Sequence, residues 1–107
     1  MQNKLLNNYI EKVKTHIFGL DNALTQLFNF YIYLLTGEDW VMDCKEFGYH
    51  QMMVTTTSGE FFRLELSQEG LSYFNIYGNR IFIKGEKRIF PDVDRIKEHL
   101  IKEVGDL

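Results

Sequence analysis

The chain has 107 residues and a net charge of −3, from 12 basic and 15 acidic side chains, with one cysteine and one proline. An aromatic content of 15% and the single proline exclude a disordered or proline-rich linker. A chain of this length can form one hydrophobic core, so we expect a single α+β domain over residues 1–107. Because the whole molecule weakly repels polyanions, nucleic-acid binding would depend on a local basic patch.

The cellular location is predicted from the cysteine content and the first residues of the sequence. Cys44 has no second cysteine with which to form an internal disulfide, which favours a reducing compartment. Residues 1–10 have neither the basic nor the apolar region of a secretion signal. The longest mostly apolar run, residues 27–35, is about half of the ~20 residues that a membrane-spanning helix needs. We therefore expect a cytoplasmic protein that does not bind membranes.

Three segments have the apolar spacing of amphipathic helices. The first covers residues 5–17, and the third covers residues 91–104 with a proline at its start. The second is predicted over residues 21–37, with Asp21 as its N-cap and a glycine at its end. Its aromatic and β-branched part, residues 28–35, would also suit a strand, and this is the alternative.

Strand patterns fill the region between the second and third predicted helices. Short segments in which apolar and polar residues alternate are separated by glycine-containing turns, which is typical of an antiparallel meander. Three amphipathic helices and a sheet with one apolar face predict a two-layer α+β sandwich. The predicted strands are residues 40–47, 50–57, 60–67, 71–77 and 80–84.

The last predicted hairpin separates into an apolar face and an aromatic, basic face. With residues 78–79 as a two-residue turn, Tyr77 pairs with Arg80. Because side chains alternate along a strand, the apolar face is expected to point to the core and the other face to point outward. The predicted core face holds Phe74, Ile76, Ile81 and Ile83, and the predicted outer face holds Tyr73, Asn75, Tyr77, Arg80, Phe82 and Lys84.

The preceding predicted hairpin, around residues 58–59, separates in the same way. To align the core faces of the two hairpins, Leu64 must lie beside Phe74 and not beside Tyr73. This alignment needs an odd-length connection, so we expect a bulge or an odd loop with Gly70 in a left-handed conformation. The predicted core residues are Met53, Phe62, Leu64 and Leu66, and the predicted outer residues are Met52, Val54, Phe61, Arg63 and Glu65.

The chain has no recognisable catalytic, cofactor-binding or metal-binding motif, so we predict a protein without catalytic activity. His16, His50 and His99 lack the spacing of metal ligands, and each is expected to have a structural or surface role. Cys44 is expected to be a small buried hydrophobe and not a nucleophile. Clustered carboxylates are expected to form a solvated acidic end, or a docking site for a basic partner; they are Glu38, Asp39, Asp43 and Glu46.

The predicted outer face gives two hypotheses of function. It is more apolar than a solvated face normally is, and apolar patches rimmed by charge favour association with another protein or with a second copy of the chain. The alternative is binding of single-stranded nucleic acid, through a cationic track with stacking rings. The binding residues predicted for either partner are Tyr73, Tyr77, Arg80 and Phe82, with Arg63 and Lys84 at the rim.

Other interpretations of the same residues remain open. The basic residues of the last hairpin would also protect a sheet edge, and its Tyr77 and Arg80 would also form a cation–π pair that serves the sheet alone. The second predicted helix would hide the outer face if it folded over it. A small-ligand pocket is a further hypothesis, with a lining of Trp40, Met42, Tyr31 and Tyr33.

Overall fold

The computed structural model of the chain describes residues 2–15, 19–81 and 90–105, and it confirms the predicted α+β fold. Its strands form one antiparallel meander in the order β1-β2-β3-β4-β5. The helices of the described residues are α1 (Gln2–Thr15), α2 (Leu20–Thr36) and α3 (Val93–Gly105). The strands are β1 (Val41–Gly48), β2 (Gln51–Thr56), β3 (Phe61–Ser67), β4 (Gly70–Phe74) and β5 (Arg80–Ile81).

Residues 28–35 are helical, so the strand alternative for this segment is wrong. The buried side chains of α2 recur at helical spacing, whereas a strand would bury alternate residues. Among the described helices, none combines the length and the hydropathy that crossing a bilayer requires. The buried residues of α2 are Ala23, Leu24, Leu27, Phe28, Tyr31, Leu34 and Leu35.

Glycines mark both ends of α2. Gly19 is the N-cap, with a φ of 87°, so the predicted N-cap at Asp21 is wrong. Asp21 instead lies in the first turn, where its negative charge complements the helix dipole. At the other end, the Gly37 N–H donates to the Leu34 carbonyl at 3.2 Å, and the helix ends there as predicted.

The helices form one layer on the inner face of the sheet. α2 packs against β1 and β3, and α1 packs against α2. The Cα radius of gyration is 13.3 Å, close to the ~13 Å expected for a compact domain of about 100 residues. The buried strand residues of this core are Val41, Cys44, Met52, Val54, Phe62, Leu64, Leu66, Tyr73 and Ile81.

A buried hydrogen bond joins α2 to the start of α3. The Tyr31 hydroxyl donates to the Pro91 carbonyl at 2.7 Å. Burial raises the pKa of Tyr31 well above its usual range, and the nearby Tyr73 and Asp92 act in the same direction. The Asp92 carboxylate caps α3, because its Oδ1 accepts a hydrogen bond from the Arg95 N–H at 2.9 Å. The predicted third helix is thus confirmed, with its first residue at Val93.

The pairing of β2 with β3 reverses the predicted faces of β2. Met52 lies opposite Leu64, and both are fully buried. The hairpin loop is the cause: the Thr56 N–H donates to the Glu60 carbonyl at 2.9 Å, so three residues connect the strands instead of two. A one-residue change moves every side chain of a strand to the opposite face. The prediction is therefore wrong for Met52, Val54 and Met53, and it is confirmed for Phe62, Leu64 and Leu66.

The connection between β3 and β4 is shorter than predicted. Gly70 begins β4 directly after residues 68–69, and Leu64 lies opposite Tyr73. Gly70 has the expected positive φ, at 124°, but the expected odd loop is wrong. Tyr73 is 5% exposed and faces the helices, so its predicted place on the outer face is also wrong. Phe74 faces outward instead.

The connection between β4 and β5 is longer than predicted. Arg80 lies opposite Phe74, which leaves a five-residue loop, residues 75–79, in place of a two-residue turn. The Asn75 side chain stabilises this loop, because its Oδ1 accepts two backbone N–H groups at 2.9 and 3.0 Å. Ile76 is an exposed loop residue and not part of the core, so that prediction is wrong. The predicted positions of Phe82, Ile83 and Lys84 lie outside the described residues.

β1 is an edge strand of the described sheet, and its pairing with β2 shifts at two places, near Met42 and near Phe47. Between these bulges Cys44 faces inward, with its Sγ 3.8 Å from the Met52 Sδ. Burial, together with the charge of Asp43, raises the pKa of the Cys44 thiol to about 12. A thiol in this environment is not a nucleophile at neutral pH, which agrees with the prediction of a small buried hydrophobe.

Candidate binding site on the outer sheet face

In the described part of the chain, the helical layer leaves the outer face of the sheet uncovered. The side chains of α2 are buried in one cluster with the inner-face residues of β2 and β3. On the opposite side of β3, Phe61 remains 44% exposed despite its size. The alternative in which the second helix covers the outer face is therefore wrong.

The outer face holds a groove of about 420 Å³, which we call the outer groove. A volume of this order is within the ~300–1,000 Å³ range of typical ligand sites. Four different elements contribute to it: β1, β2, β3 and the loop between β4 and β5. The lining residues are Phe47, Met53, Phe61, Arg63, Asn75, Ile76, Tyr77 and Gly78.

Two irregular segments explain why large apolar side chains meet at this groove. The second bulge of β1 brings Phe47 to the groove, where it joins Met53 of β2. The loop at residues 75–79 carries Ile76 and Tyr77, which are 64% and 85% exposed. Because the Asn75 carboxamide fixes the loop, these two side chains are presented on a defined backbone.

Arg63 provides the positive charge of the outer groove. Its guanidinium carbon lies 4.4 Å from the centre of the Phe74 ring, within the distance of a cation–π contact. Its Nε lies 3.5 Å from the Glu65 Oε1, and Gln51 donates a hydrogen bond to the same oxygen at 2.7 Å. The Arg63 Nε forms this ion pair, but it is buried and has no hydrogen-bond acceptor among the described residues. The stacked ring thus orients the guanidinium while its hydrogen bonding stays incomplete.

The structure brings two of the six predicted binding residues, Tyr77 and Arg63, into the outer groove. Arg80 is exposed on the same face, and its Nη2 donates to the Ser72 Oγ at 3.3 Å. Since Arg80 lies opposite Phe74, it does not pair with Tyr77 as predicted. Phe82 and Lys84 lie outside the described residues.

Tyr73 is the predicted binding residue whose position is contradicted. Its hydroxyl lies 3.2 Å from the His99 Nδ1, and the two rings meet edge to face with centres 5.3 Å apart. Both side chains are buried. This contact joins α3 to β4, so Tyr73 belongs to the interior and offers nothing to an external partner.

The outer groove also contains residues that the sequence interpretation missed. Phe47, Met53 and Ile76 were not among the predicted binding residues. Met53 and Ile76 were expected in the core, and Phe47 had no predicted binding role. The one local signal for the loop was the pair of asparagines that flanks it, at positions 75 and 79. At the second bulge of β1 the corresponding signal is Gly48, since an isolated glycine in a strand pattern suggests a bulge.

The described histidines have structural contacts. His50 lies in the β1–β2 turn with a φ of 54°, and its Nε2 is 2.8 Å from the Thr25 Oγ1. Its ring also stacks on Tyr49 with centres 4.0 Å apart. Over residues 2–15, 19–81 and 90–105, no group of three or more His, Cys, Asp or Glu side chains is placed to hold a metal ion. His16 lies outside these ranges.

The acidic end predicted around β1 is solvated in the described structure. Asp39, Asp43 and Glu46 are exposed, and Glu38 is half-buried. The Asp43 carboxylate forms an ion pair with Lys45 at 3.7 Å. Exposed carboxylates of this kind interact weakly with each other and lack the shielding that acid–base catalysis needs.

A second groove, of about 360 Å³, lies on the helical layer, away from the sheet. Its rings are in contact, with Tyr9 and Phe30 centred 4.7 Å apart. The predicted ligand pocket is not formed by its four residues together, since Trp40 and Tyr31 are buried while Met42 and Tyr33 are largely exposed. The lining of the second groove is Tyr9, Gln26, Asn29, Phe30 and Tyr33.

The fold and the groove define an α+β domain with a helical layer on one face of an antiparallel meander and an apolar groove on the other. Comparison with protein-family models, with curated proteins and with solved structures finds no significant match. Function is therefore argued from the chemistry of the groove.

Proposed function

We propose that this protein is a small non-catalytic interaction module, of the inhibitor, immunity or adaptor type, which binds a partner protein through its outer groove. The observation that carries the proposal is the exposure of Phe47, Phe61, Ile76 and Tyr77 around one concave site beside Arg63. Aromatic residues, Met and Arg are enriched at protein interfaces, and hot-spot residues cluster in pockets. The partner is a different protein or a second copy of the chain.

The fixed loop backbone supports Tyr77 as the main anchor. Besides the two hydrogen bonds to the Asn75 side chain, the Asn75 N–H donates to the Asn79 carbonyl at 2.9 Å, and the Gly78 N–H donates to the Asn75 carbonyl at 3.0 Å. A side chain held on such a loop loses less conformational entropy on binding than one on an unconstrained segment. Truncation of Tyr77 is therefore expected to weaken binding at least about tenfold, which corresponds to ~1.4 kcal/mol.

Binding of single-stranded nucleic acid is the second candidate. The combination of exposed rings at Phe61 and Tyr77 with the charge of Arg63 favours it. Against it, Lys45 lies 3.7 Å from Asp43 and Arg63 lies 3.5 Å from Glu65, so two of the cations on this face already have carboxylate neighbours. Binding of a phosphate backbone depends on neutralising several phosphates, and the charge of both these cations is partly offset. We therefore place protein binding first.

The proposal includes a cytoplasmic location and the absence of a cofactor. The free thiol of Cys44, buried and without a disulfide partner, supports a reducing compartment. The proposal involves no membrane surface.

The test is an affinity capture from lysate of the source organism with the native protein and with the double variant Phe61→Ser/Tyr77→Ser. The matched control is Tyr33→Ser, which removes a ring that is 65% exposed on the helical layer. We expect a discrete protein that is captured by the native and control proteins, is lost with the double variant, and persists after nuclease treatment and in high salt.

Each other outcome of this capture has its own meaning. If salt releases the captured material and nuclease destroys it, nucleic-acid binding replaces protein binding. If the double variant captures the same proteins as the native chain, the outer groove is not the binding surface. If the captured protein is the chain itself, measurement of the oligomeric state with the same three proteins decides whether the groove is the contact.

A further inference from the structure

We propose that the outer groove binds a protein segment in which a large apolar side chain lies next to an Asp or Glu, with the carboxylate bound by the Arg63 guanidinium. This inference rests on the proposed function and adds the chemistry of the partner. It follows from three properties of the described groove lining: its apolar walls, the oriented guanidinium of Arg63 and the side-chain amide of Asn75.

The apolar walls select a large side chain. Phe47 and Phe61 stand on the sheet side of the groove, and Ile76 stands on the loop side. These exposed groups gain from contact with an apolar side chain because the contact removes apolar surface from water on both partners. A space of about 420 Å³ accommodates an aromatic side chain together with the neighbouring backbone.

The cation selects a carboxylate. Arg63 is oriented by the Phe74 ring at 4.4 Å, and its guanidinium is the cationic group among the described residues that line the groove. The neighbouring Glu65 carboxylate accepts a hydrogen bond from the Gln51 side chain at 2.7 Å. The same oxygen lies 3.5 Å from the Arg63 Nε, which is an ion pair without a hydrogen bond. This ion pair offsets part of the Arg63 charge, but the described hydrogen bonds use none of its N–H groups, and a planar carboxylate matches the guanidinium fork.

The amide group at the rim suits a peptide backbone. The Asn75 Oδ1 accepts two N–H groups of its own loop, which fixes the orientation of the carboxamide. Its Nδ2 has no acceptor among the described hydrogen bonds, and the residue lines the groove. This nitrogen is placed to donate to a backbone carbonyl of the bound segment.

The test uses two matched peptides, acetyl-Gly-Trp-Glu-Gly-amide and acetyl-Gly-Trp-Gln-Gly-amide, which differ in one charge. Backbone amide resonances of the ¹⁵N-labelled protein are followed during titration with each peptide. We expect both peptides to shift the resonances of Phe61, Ile76 and Tyr77, with the Glu peptide binding roughly three- to fivefold more tightly, as for a partly exposed ion pair.

Three variants locate this preference. Arg63→Gln is expected to remove the difference between the peptides, and Arg63→Lys is expected to restore part of it. Lys14→Gln, on the exposed surface of α1, changes the net charge by the same amount and is expected to leave the difference intact. A thermal unfolding curve of each variant verifies that the fold is retained.

The remaining outcomes separate this inference from the proposed function. Equal affinities of the two peptides at the groove would overturn the inference and leave protein binding standing. Resonance shifts outside the groove, or no shifts at millimolar peptide, would overturn the inference. They would also contradict binding of aromatic–acidic segments at the groove. As a second measurement, panning of displayed random dodecapeptides should enrich an aromatic residue next to Asp or Glu, and enrichment of basic peptides would contradict the inference.

Discussion

The two faces of the described sheet both carry large apolar side chains but use them differently. On the inner face, Met52 and Leu64 are fully buried under the helices. On the outer face, Phe61 and Tyr77 stay in contact with water, although a solvated face of an antiparallel sheet is usually polar. The core does not need these outer side chains. Their exposure is an energetic cost that binding would remove, and this contrast is the basis of the proposed function.

The largest difference between the faces is expected for two tyrosines, Tyr73 and Tyr77. Tyr73→Ala is predicted to lower the free energy of unfolding by about 3–5 kcal/mol, because it opens a cavity and removes the contact with His99. Tyr77→Ala is predicted to change it by less than about 0.5 kcal/mol, as for an exposed side chain. Urea denaturation measures both. Equal effects would show that Tyr73 does not face the core.

Two consecutive methionines test the register of β2. Met52→Ala is predicted to cost about 2–3 kcal/mol, because Met52 is fully buried. Met53→Ala is predicted to cost under about 1 kcal/mol, since Met53 is only half-buried on the outer face. The same denaturation experiment compares the two variants. A larger effect at Met53 would contradict the observed register and support the two-residue hairpin turn predicted from the sequence.

Alkaline pH is predicted to destabilise the inner face. The pKa of Cys44 rises from 9.0 for a free thiol to about 12, so the unfolded chain loses this proton at a lower pH than the folded chain does. Between these values the native state binds more protons, and the free energy of unfolding therefore falls as pH rises, by at most about 1.4 kcal/mol per pH unit for this group. The raised pKa of Tyr31 adds to the fall from about pH 10 upward, since the ordinary pKa of tyrosine is 10.0.

Denaturation of the native protein and of Cys44→Ala at pH 8, 10 and 11 measures this effect. We expect a shallower pH dependence in the variant. In the native protein, the thiol should react with Ellman's reagent much more slowly than in urea. A thiol that reacts equally fast in both conditions would contradict the burial of Cys44.

A smaller effect is predicted for the loop that carries the anchor. Asn75→Ala removes the acceptor of two backbone N–H groups and should cost about 1 kcal/mol of stability. Asn75→Asp keeps the acceptor and should restore most of this loss. Partner binding should follow the same order, because the loop presents Tyr77. Equal binding by both variants would show that the loop conformation does not matter for binding.

The order of helices and strands was predictable, because the spacing of apolar residues and the positions of glycines indicate it directly. The face to which each strand residue points was not predictable, because it depends on the lengths of the β2–β3, β3–β4 and β4–β5 connections. A hairpin loop of three residues in place of two turned Met52 inward, and a connection of two residues in place of an odd one turned Tyr73 inward. A single residue in a loop decides the face of a whole strand, and no propensity fixes that number.

The candidate site was predictable in part for the same reason. Arg63 was placed correctly because β3 kept its predicted faces, and Tyr77 because it lies in the turn region under either register. Phe47 reaches the groove through a bulge and Ile76 through the longer loop, so neither follows from alternation. Irregular backbone thus built the part of the site that pattern reasoning missed.

The most direct measurement is photocrosslinking in the source cells with p-benzoylphenylalanine placed at position 77 or, as control, at position 33. Both side chains are tyrosines that are well exposed in the native protein, one at the outer groove and one on the helical layer. The proposed function predicts a discrete protein adduct from position 77 that is absent from position 33 and disappears in combination with Phe61→Ser. The same adducts from both positions, or adducts that nuclease removes, would contradict it.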